Sequence, residues 1–334
     1  MKPLPILLLF FLLLPLGADA QKKDNFWTDL NDFLNLREDK SYAKLDTNYV
    51  GRYPYHWDAR IFYKSVSMHV NASEENGFLL TTGMRQRIGV ALSYRGLGLS
   101  YSHALGKKFN VDLGLDSYGK HFCFEYSFRA TTDLTGNIIP MSQSPGSTEE
   151  PKLLLVTNKL NLFYSFNKRF SYGAAMKQTK IQRKSAGSFI AAFNWSVWDL
   201  MTMEDEIVNL KDFYKANFFY QRFSIGAGYG YNVVLGHQHW LLHASIIPMW
   251  TVYDMQGLRH EEDKTRTSYP YGKVSFTGTA RSGVYYRWGT RWSVGCSGIV
   301  NQLASSNHFS KKASDFSRFS AQEWQIYFSV CFRF

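Results

Sequence analysis

The sequence has only one long hydrophobic run, and it lies at the amino terminus. There Lys2 precedes an apolar stretch at 6–14 and a small-residue pattern at 18–20. Elsewhere no stretch approaches the roughly 18 apolar residues that a membrane-spanning helix needs, which excludes a helical membrane protein. The amino-terminal pattern is typical of a cleavable signal peptide, residues 1–20, and predicts export. The alternative is an uncleaved anchor, which the short apolar core disfavours.

Cysteine is scarce, and no metal-binding pattern is present. Cys123, Cys296 and Cys331 are far apart and odd in number, so they define no disulfide framework. We interpret them as small strand residues, with one bridge as the alternative. His237 and His239 lie two apart in a predicted turn, without a third ligand that can be assigned. The sequence therefore predicts neither a metal nor a cofactor.

Acidic residues are outnumbered, with 27 Asp and Glu against 38 Lys and Arg and a net charge of +11. A basic balance can indicate nucleic-acid binding, but here the positive residues are scattered along predicted strands and turns. We therefore predict no nucleic-acid partner. In an exported protein such residues indicate lumen side chains and contacts with anionic lipid, including the phosphates of lipopolysaccharide.

The clearest pattern that is present ends the chain. From Trp324 to Phe334 the even positions carry Trp, Ile, Phe, Val, Phe and Phe, and the odd positions carry Gln, Tyr, Ser, Cys and Arg. This period of two predicts a strand with one apolar and one mostly polar face. At a soluble edge such a strand is an aggregation hazard, whereas in a transmembrane barrel its apolar face meets lipid. A last strand ending in Phe334 also resembles the strand by which bacterial outer-membrane barrels are recognised, which predicts a barrel-assembly machinery as a partner.

Similar alternation recurs along the chain, which is rich in aromatic residues and glycine, with 26 Phe, 21 Tyr and 25 Gly. Short turns such as 95–96 mostly alternate with long polar or charged stretches, such as the predicted loops 131–152 and 254–270. This organisation is typical of an all-β, antiparallel up-and-down transmembrane barrel with its long loops outside the cell and its short turns in the periplasm. A soluble lectin-like sandwich is the minor alternative.

The candidate strands number thirteen, whereas a single-chain bacterial barrel has an even number. The thirteen include 170–183 as a strand that follows a tight turn. We predict about twelve strands, with fourteen as the next possibility, and place the error in the region 184–221. The barrel is predicted to span 57–334 as one domain, since no linker divides it.

The stretch 21–56 differs from the barrel and is predicted to be a periplasmic segment. Phe26, Leu30, Phe33 and Leu34 recur at helical spacing among polar residues, which predicts a short amphipathic helix at about 24–36. The alternative is a partly ordered tail.

Alternation places a set of charged side chains of both signs on the lumen face of the barrel. The set is Asp112, Asp116, Glu125, Arg129, Lys159, Lys177, Lys273, Arg281 and Arg287. In a wide pore such charges would set ion selectivity. In a barrel of about twelve strands the lumen is narrow, so opposite charges could pair across it and close it. The predicted function is therefore non-catalytic: a passive channel, or a narrow-lumen barrel that serves envelope structure or surface binding.

The alternative function is a lipid hydrolase. His243 and Ser245 form a His-x-Ser pattern that resembles outer-membrane phospholipases and lipid A deacylases, in which His is the base and Ser the nucleophile. In those enzymes the pair faces lipid near the outer rim. Here Leu242, Ala244 and Ile246 are the more apolar set, which places His243 and Ser245 on the lumen side, close to a predicted periplasmic turn.

Five short segments carry a resemblance to a known family. They lie at 46–49, 94–100, 166–172, 182–188 and 228–232. The most specific piece is the Ser-Ala-Gly-Ser run at 185–188. In this order the segments resemble a family of secreted Bacteroidetes proteins described only as a domain of unknown function. The resemblance spans 45–334 and implies an outer-membrane barrel, with no known catalytic residue, ligand or partner.

Overall fold

The computed structural model describes residues 45–73, 78–106, 110–132, 135–138, 153–202, 216–260, 266–270, 274–306 and 318–334, and five helical residues at 33, 36, 39, 40 and 43. The chain divides into two compact units, Met1–Lys44 and Leu45–Phe334. In the first unit Phe33 and Leu36 are helical and exposed. The rest of the predicted helix and the predicted signal peptide lie outside the described residues. Within the described ranges no helix is long and apolar enough to cross a membrane.

The second unit is built from antiparallel strands and one short helix in the part that the structure describes. The elements are β1 (Val50–Gly51), β2 (Trp57–Ser73), β3 (Phe78–Tyr94), β4 (Leu97–Ala104), β5 (Asn110–Tyr118), β6 (Phe122–Thr131), β7 (Thr135–Ile138), β8 (Leu153–Ser165), α1 (Tyr172–Met176), β9 (Ile181–Gln182), β10 (Ala186–Thr202), β11 (Ala216–Leu235), β12 (Trp240–His260), β13 (Arg266–Pro270), β14 (Val274–Trp288), β15 (Trp292–Ser306) and β16 (Arg318–Arg333).

Twelve of these strands close into a barrel. Each pairs with its neighbour along the chain, in the order β2, β3, β4, β5, β6, β8, β10, β11, β12, β14, β15 and β16. The last strand pairs back to the first, with Phe328 opposite Tyr63, so the wall of twelve strands is closed. Two further strands, β7 and β13, extend β3 and β12, while β1 and β9 form a separate pair. The predicted up-and-down barrel of twelve strands is confirmed.

The outer face of the barrel is apolar, as a lipid-facing surface requires. On β16 the side chains of Trp324, Ile326, Phe328 and Val330 are 37–49% exposed, and Ile88, Val90 and Leu92 repeat the pattern on β3. Water would penalise so continuous an apolar belt, which identifies the barrel as a transmembrane one. Aromatic pairs such as Trp57–Tyr94, Trp292–Phe332 and Trp240–Tyr286 mark one rim, as in the girdles of membrane barrels.

The two ends of the barrel carry connections of different length. At one end, which we call the turn end, the connections 95–96, 119–121, 236–239 and 289–291 are short, and Gly96 and Gly289 adopt positive φ there. Trp57 and Phe334 also meet at the turn end through two backbone hydrogen bonds. At the opposite end, which we call the loop end, lie the strand ends Thr131 of β6, Ser306 of β15 and Arg318 of β16.

One predicted strand and parts of two predicted loops were wrong. The segment 170–183 is not a barrel strand, and its removal from the thirteen gives the observed twelve. The suspected region 184–221 holds β10 and the start of β11 as predicted. Strands also lie within two predicted loops: β7 lies in 131–152, and in 254–270 β12 continues to His260 and pairs with β13, which begins at Arg266.

Candidate functional site

The connection between β8 and β10 fills the turn end of the lumen. We call its residues, 166–185, the plug. The helix α1 begins after Ser171, whose hydroxyl accepts a hydrogen bond from the Ala174 amide at 3.1 Å. Tyr172, Gly173, Ala174 and Ala175 are all buried, Tyr172 at 1% exposure. A Cβ added to Gly173 would lie 2.7 Å from the Tyr118 Cβ on the wall, so this position has no room for a larger residue.

The plug is part of the main hydrophobic core of the chain. The buried residues of this core come from the plug and from the inner faces of five barrel strands: Tyr118, Cys123, Phe163, Phe170, Tyr172, Ala186, Ile190, Ala192, Ile247 and Met249. Because Tyr172 is buried in this core, the pKa of its phenol is raised above its ordinary value.

Polar contacts hold the plug to the barrel wall. The Lys177 ammonium lies 3.1 Å from Asp116 on β5. Burial, the largest single effect, disfavours the charged form of Lys177, but Asp116 together with Tyr327 and Glu125 outweighs it, so the pKa of Lys177 lies above its ordinary value. The Arg60 guanidinium donates to the Lys177 carbonyl, and Arg333 donates to the Gln178 carbonyl at 2.9 Å. These contacts satisfy backbone groups that would otherwise be buried without partners.

The segment 45–51, just before the barrel, pairs with the plug. The strand β1 pairs with β9 of the plug, with Val50 opposite Gln182. Asp46 lies 3.2 Å from Arg169, and Val50 is fully buried. Gln182 accepts from the Ser171 amide at 3.0 Å and donates to the Arg169 carbonyl at 2.8 Å. The plug is therefore clamped between the wall and the segment 45–51.

Ion pairs cross the lumen above the plug. The Arg281 guanidinium on β14 forms a bidentate ion pair with the Glu125 carboxylate on β6, with N–O distances of 2.7 and 2.8 Å. Glu323 on β16 accepts from both Arg129 on β6 and Lys159 on β8. In both cases the partners stand on opposite sides of the barrel. Two-pronged arginine–carboxylate pairs are among the strongest ionic contacts in proteins.

Another carboxylate, that of Asp112, contacts three positive groups on one side of the lumen. Asp112 lies 2.7 Å from Lys64, 3.4 Å from Arg87 and 3.1 Å from Arg129. Arg129 thus joins this cluster to Glu323. Buried charges are costly unless they are paired, so the network is arranged as a set of compensated contacts.

The lumen-facing residues expected from the sequence fall into three groups. Asp112, Asp116, Glu125, Arg129, Lys159 and Arg281 line the lumen from barrel strands, and Lys177 enters it from the plug. Arg287 is placed differently, because its guanidinium donates to the Gln238 carbonyl at the turn end, at 2.7 Å. Lys273 lies outside the described residues.

Alternation alone left several partners unnamed. Glu323 and Arg333 lie on the polar face of β16, and Arg60 and Lys64 lie on β2. Their inward orientation follows the same period of two. What the sequence did not show is which charges meet across the lumen, since those pairs join strands that are not neighbours.

His243 and Ser245 do lie together, and Asn232 on β11 joins them. The His243 Nε2 is 3.0 Å from the Ser245 Oγ, and its Nδ1 is 2.7 Å from the Asn232 Oδ1. The Asn232 amide donates to the Ser171 carbonyl at 3.0 Å and to the Gln182 side chain at 3.1 Å, which orients its oxygen toward His243. In this arrangement Nδ1 carries the proton and Nε2 accepts from the serine.

The three residues face the lumen and are covered by the plug. His243 is 4% exposed and Ser245 is 7% exposed. The rings of Phe170 and Tyr172 lie 6.2 and 5.7 Å from the His243 ring. The site is therefore a nucleophile–base–orienter geometry enclosed by the plug, and not one that meets lipid.

Other chemistry is limited in the part of the chain that the structure describes. Cys123, Cys296 and Cys331 are all free thiols, so the alternative of one disulfide bridge is wrong. His237 and His239 lie in the turn between β11 and β12, and no group of three His, Cys, Asp or Glu side chains among the described residues is placed to hold a metal ion.

Comparison with known proteins identifies a family. The model of a family described as a domain of unknown function (DUF4421) matches residues 44–334. No curated protein matches the chain in sequence. The predicted membership in a family of unknown function is confirmed, while the bacterial group in that resemblance stays a prediction.

Several solved membrane barrels are similar in outline. The outer membrane protease OmpT from Escherichia coli is 9% identical over 84% of this chain and 97% of that chain, with a TM-score of 0.40. The translocator domain of the autotransporter NalP from Neisseria meningitidis is 12% identical over 93% and 98%, with a TM-score of 0.42. The P. putida toluene transporter TodX is 9% identical over 84% and 91%, with a TM-score of 0.31. Because these TM-scores lie below 0.5, the likenesses support no argument about this chain.

Proposed function

We propose that this chain, which belongs to the DUF4421 family, is an outer-membrane barrel with a closed lumen that serves surface binding or envelope structure without catalysis. The apolar belt and the terminal strand ending in Phe334 support insertion by a barrel-assembly machinery, among outer-membrane lipid and lipopolysaccharide. In this proposal residues 1–20 are a signal peptide removed on export. The resting protein is not an open passive channel.

The observation that carries the proposal is the closure of the lumen at two levels. The plug packs into the turn end with its helix buried. Above it, Arg281–Glu125 and Lys159–Glu323 span the lumen. A solute or hydrated ion moving through the barrel would have to separate buried, hydrogen-bonded charges, each of which is costly to leave unpaired.

Single-channel conductance in a planar bilayer tests the proposal. Refolded protein, shown to be folded by its heat-dependent gel mobility, is expected to give no regular current steps. Discrete, reproducible steps from the unaltered chain would overturn the closed-lumen proposal and favour the passive channel.

A plug variant sharpens this experiment. Replacing 171–180 by a Gly/Ser linker of equal length, together with Glu125→Ala and Glu323→Ala, is expected to produce current steps because it removes the plug helix and both cross-lumen carboxylates. The same kind of replacement at 236–239, a turn at the same end, is the matched control and should stay silent. A folded plug variant that also stays silent contradicts the role given to the plug.

The second candidate is the lipid hydrolase, favoured by the Asn232–His243–Ser245 geometry. A serine whose hydroxyl donates to a histidine that is itself oriented by an amide is the arrangement of an activated nucleophile. We rank it second because the same hydrogen bonds tie the wall to the Ser171 carbonyl and to Gln182 of the plug. That contact explains the three residues without catalysis.

A fluorophosphonate probe separates the two candidates, because it reacts covalently with activated serines. Labelling that disappears in Ser245→Ala and in His243→Ala, with matching loss of phospholipid or lipid A hydrolysis, would establish the hydrolase. A folded protein that is neither labelled nor hydrolytic, with and without the plug, would end that candidate. His243→Ala alone is not sufficient, since it also loosens the plug.

A further inference from the structure

The lumen contains a cavity next to the hydrophobic core that the plug shares with the wall. Its volume is about 60 Å³, and Met249, a residue of that core, belongs to its lining. One water molecule needs roughly 10–15 Å³ by this kind of measure, so the cavity has room for about four to six waters or a ligand group of similar size. Most of its lining residues are polar or charged and lie on β8, β10, β11, β14, β15 and β16, although apolar atoms form the larger part of its surface.

Two of the three charged residues of the lining compensate each other. Lys159 contacts Glu323, and the Asn301 amide lies 3.4 Å from the same carboxylate. Lys159 also lies 5.2 Å above the Trp198 ring. The third charged residue, Arg222, is buried in the wall on β11. The charges alone therefore do not select the ligand, and its chemistry has to be read from the hydrogen-bonding groups.

The amides of the lining offer both donors and acceptors. The Asn194 side chain donates to the Asn161 oxygen at 2.7 Å. This bond leaves the Asn161 amide group as a donor and the Asn194 oxygen as an acceptor. A wall that presents both kinds of group in close sequence matches hydroxyls, which donate and accept at the same atom, better than it matches a purely accepting anion.

One hydroxyl in the wall has no partner within the described part of the protein. The Thr279 side chain is buried, with 4% of the residue exposed, and its Oγ1 makes no hydrogen bond there. A buried hydroxyl without a partner is unfavourable. Two residues earlier on the same strand, the Thr277 hydroxyl donates to the Gln302 carbonyl at 2.7 Å. The Thr279 hydroxyl is thus a hydrogen-bonding group that a ligand inside the cavity can contact.

We infer that this cavity binds an uncharged polyhydroxylated group, such as the hydroxyls of one sugar unit. Asn161, Asn194 and Thr279 supply the hydrogen bonds, while the Lys159–Glu323 pair and Trp198 form the wall. This inference deepens the proposed surface-binding role and rests on it. Because the lumen is closed by the plug, a ligand in this cavity is bound there and does not pass through the barrel.

Tryptophan fluorescence and calorimetry of the refolded full chain test the inference. The probes are D-glucose, D-galactose, D-mannose and myo-inositol, with inorganic phosphate as the charged comparison. At least one of the four uncharged probes is expected to bind saturably in the millimolar range or tighter. Thr279→Val keeps the shape and removes the hydroxyl, so it should weaken that binding about three- to tenfold.

Thr251→Val is the matched control. Thr251 also has a buried hydroxyl on the lumen side, but it pairs with Ser224 at 3.3 Å and lies outside the cavity lining. Its substitution should leave binding unchanged. Failure of all four uncharged probes to bind a folded protein overturns the inference, and so does saturable binding of phosphate alone. The conductance experiment is independent: current steps would overturn the closed lumen whether or not a sugar binds.

Discussion

The two halves of the lumen are filled in different ways, although one barrel wall encloses both. At the turn end, Phe170 and Tyr172 of the plug pack with Ile190 and Ile247 of the wall in one buried cluster, as in the core of a water-soluble protein. Toward the loop end a cavity with mostly polar lining residues remains, and Thr279 lacks a partner among the described residues. The difference comes from the plug, because it covers the inward-facing apolar side chains of the wall at the turn end.

The largest effect is expected from Tyr172→Ala, at the centre of the filled half. Removing a large buried side chain leaves a cavity, so the free energy of unfolding should fall by about 3–5 kcal/mol. Urea titration of the refolded protein in lipid vesicles measures this. Phe189→Ala is the control, since Phe189 is 69% exposed on the outer face and should cost less. Equal losses would mean that the plug is not packed as a core.

The next largest effect is expected from Glu125→Ala, at the boundary between the halves. It leaves the buried Arg281 without its carboxylate, which should reduce the free energy of unfolding by about 3 kcal/mol or more. The exposed pair Asp46–Arg169 provides the comparison. Asp46→Ala should cost less than about 1 kcal/mol in the same titration, because solvent screens that pair. If the two substitutions cost the same, the cross-lumen contact is not desolvated.

His243→Ala should have an intermediate effect, since it removes a buried ring that packs against Phe170 and Tyr172 of the plug and holds the Asn232 oxygen. The Asn232 oxygen and the Ser245 hydroxyl both lose a buried partner, and the expected loss is about 1–3 kcal/mol. Hydrogen exchange of the plug amides is the sharper measurement. Exchange should accelerate within 171–182 and stay unchanged in β16. Unchanged protection of the plug amides against exchange would show that Asn232, His243 and Ser245 do not anchor the plug.

The smallest effect, and one of opposite sign, is expected in the cavity half. Thr279→Val replaces a buried hydroxyl without a described partner by a methyl group of the same shape. The free energy of unfolding should stay level or rise by up to about 1 kcal/mol. The same titration without any sugar checks this. A clear loss of stability would show that the hydroxyl has a structural partner and would weaken the proposed binding site.

Alternation was sufficient to predict the barrel. Lipid outside and polar groups inside impose a period of two on every spanning strand, and β16 shows it from Trp324 to Phe334 with its apolar side exposed. The even-number rule then predicted twelve strands, although the list held thirteen. The rule revealed that one strand was false without showing which one.

The plug could not be recognised from the sequence because its pattern imitates a strand. Phe170, Tyr172, Ala174 and Met176 stand at alternate positions, and the intervening residues are smaller or polar. What distinguishes the plug is that its apolar side chains meet the wall from inside, and this depends on contacts with strands far away in the chain. The cross-lumen pairs were equally hidden, since alternation gives a residue's face and not its partner.

The pairing of β1 with β9 has a consequence for the order of folding. Tyr49 and Gln182, which meet at this clamp, are 133 residues apart in the chain. Contacts of such long range form late, because the loop that they close is entropically costly until the intervening structure exists. The clamp is therefore expected to follow the strands β2 to β8 that it spans. The closure of β16 on β2 joins partners such as Phe328 and Tyr63, which are still farther apart in the chain. By the same reasoning the barrel closes around a plug that is already clamped.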